Sequence, residues 1–143
     1  MCVSTFKTQI RQHSVALISL AIALGSLGYN TWRNEKTEEN RNIRTAGIEL
    51  LMKLGDLDRV VFFSHYDKDM VRGNPRSGWT YVLTIRDLAA LTDEPAIGSS
   101  VELTAVWSER WADLGKDNES VERISASIDQ LRGDVLKVLE ELD

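Results

Sequence analysis

Residues 14–32, SVALISLAIALGSLGYNTW, form an uncharged run of 19 residues, and every one of the chain's 22 acidic residues lies beyond it. A helix crossing a hydrocarbon core of about 30 Å needs about 20 mostly apolar residues, and interfacial aromatics gather at its ends. The run has that length and closes on Tyr29 and Trp32. It reads as a transmembrane helix, which divides the chain into a basic N-terminal tail (residues 1–13), the membrane helix (14–32), a polar helical stalk (33–45) and an acidic domain (46–143).

Charge separates these parts. Residues 1–33 carry Lys7, Arg11 and Arg33 against no acid, whereas residues 34–143 carry 14 basic and 22 acidic side chains, a net charge of −8. Such a domain repels phosphates and anionic headgroups, so nucleic acid is not an expected partner, and the bilayer is met through residues 14–32 alone. Cys2 is the only cysteine and precedes the membrane run. The domain therefore has no internal disulfide and depends on its apolar core.

Lys7 and Arg11 ahead of an apolar run also resemble a signal peptide, and Ala23-Leu24-Gly25 offers a small-residue cleavage site. The run continues past it to Trp32, longer than the usual 7–15 residue signal core, which favours an uncleaved signal anchor. For orientation, Lys and Arg alone set Lys7 and Arg11 against Arg33, Lys36, Arg41 and Arg44 and favour a cytoplasmic domain. Net charge favours the reverse, because Glu35, Glu38 and Glu39 dilute the second cluster. Long translocated domains are largely indifferent to their own charges, and the reading adopted is N-in, C-out, with the domain outside the cytoplasm.

Beyond the membrane the sequence is helical in pattern. No proline occurs from Glu35 to Asp69, and Ile43, Gly47, Leu50, Leu54, Leu57 and Val61 recur at steps of four and three. With no breaker after Trp32, the membrane helix is expected to continue into this one, a rod of about 80 Å at 1.5 Å per residue. Asn74 and Pro75 suit the N-cap and first position of a second helix, from about Pro75 to Leu91, with Trp79, Val82, Ile85, Leu88 and Ala89 on its buried side. Thr92-Asp93-Glu94-Pro95 breaks it, and Ser99 with Glu102 reads as a capping box opening a third helix. That helix carries Leu103, Val106, Trp107, Trp111 and Leu114 and stops at Gly115. Asp117 or Asn118 caps the fourth, where Val121, Ile124, Ile128, Leu131, Val135, Val138 and Leu142 step by three and four, as in a bundle or coiled-coil seam. The expected fold is all-α: one membrane helix leading into an up-down-up-down antiparallel bundle of about four helices.

Chemistry is sparse. The chain has no Gly-rich phosphate loop, no Cys-Cys or His-Glu metal spacing, no Gly-x-Ser-x-Gly elbow and no Glu-x-x-His pair. No catalytic residue, metal or cofactor is expected. His65 could share a helix face with Asp58 or Asp69, although a solvated helix end is the plainer account. Arg72 and Arg76 flank a turn that ends at Trp79, and guanidinium forks of this kind suit a partner's carboxylates. Trp107 and Trp111 lie one turn apart, suited to core filling or to anchoring a partner.

Membrane-anchored helical bundles are similar in architecture to ligand-binding modules of bacterial sensors, but those sit between two spans and no second span follows here; the likeness is of fold alone. The expected function is a non-enzymatic interaction, scaffold or accessory protein binding another membrane or envelope protein. The alternative is a small-molecule-binding bundle with Trp79, Trp107 and Trp111 around a pocket. The stalk and the helix-four seam also allow a homo-oligomer.

Overall fold

The computed structural model describes the backbone of residues 3–142 and the side chains of residues 13–142. Cys2, Lys7 and Arg11 thus lie outside the described side chains. The described residues are helical and contain no strand: α1 (Val3–His65), α2 (Pro75–Ala89), α3 (Ala96–Arg110) with a 3-10 turn Trp111–Asp113, and α4 (Asn118–Glu141). The chain divides into two compact units, Met1–Glu39 and Asn40–Asp143.

The first unit is helix alone. α1 is long and apolar enough, by length and composition, to cross a membrane. Its large apolar side chains from Val15 to Leu27 are each more than half exposed among the described residues. Thr31 and Thr37 return their hydroxyls to the carbonyls four residues back, and Tyr29 and Trp32 lie with ring centroids 6.2 Å apart.

The second unit begins at Asn40, so residues 40–45 belong to it rather than to a free stalk. Asn40 reaches the carbonyl of Leu142, and Ile43 and Ala46 are already buried. The spacing of apolar residues on each helix decides what it buries. Of the α1 stripe, Leu50, Leu54 and Leu57 are fully buried, and Gly47 lets Leu139 of α4 approach so closely that a Cβ would lie 2.9 Å from its Cδ2. The α4 stripe from Val121 to Val138 is buried throughout, and Leu142 packs against it half-buried. α2 contributes Val82, Ile85 and Ala89, and α3 contributes Leu103 and Trp107.

Pairings along the helices are antiparallel. Gly47 meets Leu139 and Asp58 pairs with Arg132 at 3.7 Å between α1 and α4. Ser99 bonds Asp134, and Arg110 pairs with Glu119 at 3.6 Å, between α3 and α4. Gly78 meets Trp107, and Trp79 meets Trp111, between α2 and the α3 end.

Helix ends follow local chemistry. The Asn74 side chain accepts from Arg76 N at 3.0 Å with Pro75 at the first helical position, and Asp117 accepts from the Glu119 and Ser120 N–H groups. α1 stops at His65, inside the proline-free stretch that runs to Asp69, because Lys68 takes a left-handed φ of +52° and the Asp69 N–H returns to Phe63 O. α2 ends at Ala89, where the Thr92 hydroxyl and N–H both bond the Ala89 carbonyl.

The capping box at Ser99 does not form. α3 already begins at Ala96, three residues before Ser99, and Glu94 Oε2 accepts from Gly98 N at 3.1 Å, so its first turn is capped from the preceding loop. Ser99 is left inside the helix, where its hydroxyl turns to Asp134.

Candidate functional site

Two of the sequence candidates flank the end of α1. Asp69 accepts from the Val71 and Arg72 N–H groups and from Arg72 Nε at 2.6 Å, while the Arg72 guanidinium carbon lies 4.1 Å above the Phe63 ring centroid. The Arg72 side chain first, then the two backbone donors, hold the Asp69 carboxyl below the ordinary carboxylate range. Arg72 is thus committed to its own loop through an ion pair and a cation–π contact. Arg76 is exposed and its guanidinium forms no ion pair among the described residues; only its backbone N–H is engaged, by Asn74.

His65 is half-buried, with its ring edge against Tyr66 at 4.8 Å and its buried Nδ1 without a hydrogen-bond partner. The acids expected beside it are taken elsewhere: Asp58 pairs with Arg132 and Asp69 with Arg72. The histidine and the two carboxylates therefore do not form one constellation.

The three candidate tryptophans, Trp79, Trp107 and Trp111, separate by burial. Trp79 and Trp111 are half-buried, edge to face at 6.5 Å, a geometry suited to aromatic quadrupoles. Trp107 is fully buried and lies directly against Gly78, and its Nε1–H has no acceptor. It fills the core and presents no edge at the surface.

No family model matches the chain. Nor does any curated protein or solved structure match it.

A polar cluster that the spacing of candidate residues did not single out lies between α3 and α4. Asp134 is buried and accepts from Lys137 Nζ at 2.8 Å, Ser99 Oγ at 2.5 Å and Gln130 Nε2 at 2.8 Å. Lys137 first, then Ser99 and Gln130, lower its carboxyl from 3.8 to about 2. Ser99 and Gln130 also line a groove of about 410 Å³, together with Glu102, Val106, Arg123, Ala126 and Ser127. A signal was present in the sequence: Ser120, Ser127 and Asp134 recur every seven residues beside the apolar seam, and all three are buried. Every oxygen–donor contact of Asp134 is satisfied within the chain, so the cluster ties α3 to α4. A second groove of about 170 Å³ is bounded by Asp56, Arg59, Val60, Phe63, Arg72 and Tyr81. Neither groove is lined by a tryptophan.

Proposed function

We propose that this chain is a single-pass membrane-anchored helical bundle that acts by binding protein, as a non-enzymatic accessory or scaffold subunit of another membrane or envelope protein. One observation carries the reading. The α1 side chains from Val15 to Leu27 stand exposed all round the helix, whereas each helix of the second unit buries one apolar stripe within its own chain. A helix apolar on every face is at rest only where something apolar surrounds it, and a bilayer does so without requiring a partner at each face. Tyr29 and Trp32 then lie at the membrane boundary, and Arg33, Glu35 and Lys36 follow in water.

The non-enzymatic part of the reading rests on how the polar groups are spent. Asp58, Asp69 and Asp134 are each bonded to a basic or hydroxyl group of the chain, and His65 has no carboxylate beside it. Among the candidates the sequence singled out, Arg76 and the half-buried edges of Trp79 and Trp111 stay accessible, and they are of kinds enriched at protein interfaces. A tryptophan-lined pocket would need Trp107, which is spent on the core, so the ligand-binding alternative has less support.

The orientation proposed is N-in, C-out. The test is alkaline extraction of membranes containing the full chain, together with a reporter fused at the C-terminus and cross-linking of neighbours in intact membranes. The expected results are retention in the alkali-resistant pellet, reporter activity outside the cytoplasm, and a reproducible membrane-protein adduct. Release by alkali overturns the anchor, and reporter activity inside overturns the orientation.

A further inference from the structure

α1 carries a second stripe that its own bundle leaves uncovered. Ile48, Met52, Gly55, Arg59 and Phe62 recur at steps of four and three, about 140° round the helix from the buried stripe at 100° per residue, and Tyr66 follows in step just past the helix end. Ile48, Met52, Phe62 and Tyr66 are 51, 60, 50 and 66% exposed. Single exposed apolar residues are ordinary on protein surfaces, but a heptad of them along one helix is the pattern of a coiled-coil seam. The seam expected on α4 is buried within the chain, so it is not available to a second molecule.

We propose that this outward stripe of α1 pairs in parallel and in register with the same stripe of a second copy of the chain; the proposal rests on the membrane-anchor reading above. Copies inserted in one bilayer with one topology carry α1 in the same direction. Each residue of the stripe then meets its own counterpart: Ile48 on Ile48, Met52 on Met52, Phe62 on Phe62. Knobs-into-holes packing sets Arg59 in the hole made by Gly55, Asp58, Arg59 and Phe62 of the other copy.

Two features of the stripe fit that hole. Asp58 supplies the charge opposite to Arg59; it is half-exposed and its contact with Arg132 is a long 3.7 Å, which leaves it room to accept a second cation. Gly55 supplies space: nothing of its own chain lies within 4 Å of where its Cβ would be. A glycine inside a helix costs about 1 kcal/mol relative to alanine, and no contact within the chain calls for it at this position. Across a parallel pair it leaves room for the long Arg59 stem. A single polar residue in such a seam fixes register and oligomeric state at some loss of stability. The stripe is short, and the shared membrane compensates by holding the two helices at high effective concentration.

The experiment uses the full chain in native membranes with Cys2→Ser, and single cysteines introduced as Met52→Cys, Phe62→Cys or, on the exposed face of α3, Glu102→Cys. All three positions are exposed, so the substitutions leave the core intact. A short bis-maleimide is added. The expected result is a covalent dimer of the chain from Met52→Cys and Phe62→Cys and little from Glu102→Cys. Adding Met52→Glu to Phe62→Cys is expected to cut the dimer yield about tenfold, the effect of losing about 1.4 kcal/mol. Equal yields at all three positions, adducts to a different protein, or monomer alone in the alkali-resistant pellet overturn the pairing and leave the anchor standing. Release of the chain by alkali overturns the anchor, and with it the tether that the pairing requires.

Discussion

Trp107 lies so close over Gly78 that a Cβ on the glycine would sit 2.1 Å from the indole Cζ2 and 2.4 Å from Cη2. Only the absence of a side chain on α2 lets the ring enter the core from α3. Gly78→Ala is therefore expected to lower stability by about 3 kcal/mol, at the upper end of overpacking costs, since the ring has no flexible end to swing away. Trp107→Phe removes the six-membered half of the indole and the unpaired Nε1–H together. In the double variant the alanine no longer meets Cζ2 or Cη2, so the combined cost falls well below the sum of the singles. Urea denaturation of the four proteins in a double-mutant cycle reads this directly, and additive losses would show that the ring is not what the Cβ meets.

Asn74 is the N-cap of α2, with its Oδ1 accepting from Arg76 N. Loss of a cap of this type costs about 1 kcal/mol, whereas glycine in the same place costs only a few tenths. Asn74→Ala is thus expected to lower the thermal midpoint by several degrees and Asn74→Gly by much less. Equal effects would mean that the loop, and not the cap, is what the asparagine serves.

The pH dependence of stability has one dominant buried contributor to test. The Asp134 carboxyl is depressed to about 2 by Lys137, Ser99 and Gln130, against 3.8 for the free group. A depressed carboxyl stabilises the fold above its unfolded pKa, and that contribution is lost as pH falls through the folded value. The window is therefore from about pH 4 down to about pH 2. Asp134→Asn is expected to cost about 1.5–3 kcal/mol at neutral pH, the scale of hydrogen bonds to a charged group. The gap between wild type and variant should narrow across that window. Asp69 and Asp117 are also depressed and add to the slope of both proteins, so the difference between the two curves is the informative quantity. A constant gap from neutral pH to pH 2 would rule out the ionised form as the source.

These contrasts show which parts of the molecule could be read from the sequence. Periodicity reports which face of a helix is buried, and it found Leu50, Leu54 and Leu57 on α1 and the run from Val121 to Val138 on α4. Caps are local, so Asn74 and Asp117 were legible from their own neighbours. Ser99 shows the opposite: the helix already starts at Ala96, with Glu94 accepting from Gly98 N in its first turn, and a serine three residues before a glutamate looks alike inside a helix or at its start. The tryptophans are of one type, yet Trp107 is buried and Trp79 and Trp111 are not, because Gly78 admits one ring from another helix. Partners distant in sequence also decide His65, whose neighbouring acids are claimed by Arg132 and Arg72.

Two loops converge on one residue at the end of α1. A Cβ on Gly73, in the loop before α2, would lie 2.1 Å from Ser64 N; a Cβ on Gly115, before α4, would lie 2.8 Å from Ser64 O. Ser64 itself is fully buried and its hydroxyl donates to Leu114 O at 3.3 Å. The obstacles are main-chain atoms of a helix, which cannot yield as the tip of a side chain can. Gly115 also holds φ at +90°, a left-handed conformation that costs other residues about 1–2 kcal/mol. Gly73→Ala and Gly115→Ala are each expected to lose more than about 2 kcal/mol, among the larger effects of single substitutions. Gly133→Ala on α4 is the control, since nothing lies within 4 Å of its Cβ position and alanine is favoured there by up to about 1 kcal/mol. Denaturant midpoints should therefore fall for the first two and rise for the third. If all three fell alike, the loss would lie in chain flexibility, and the packing of the two loops on Ser64 would not be what holds the end of the bundle closed.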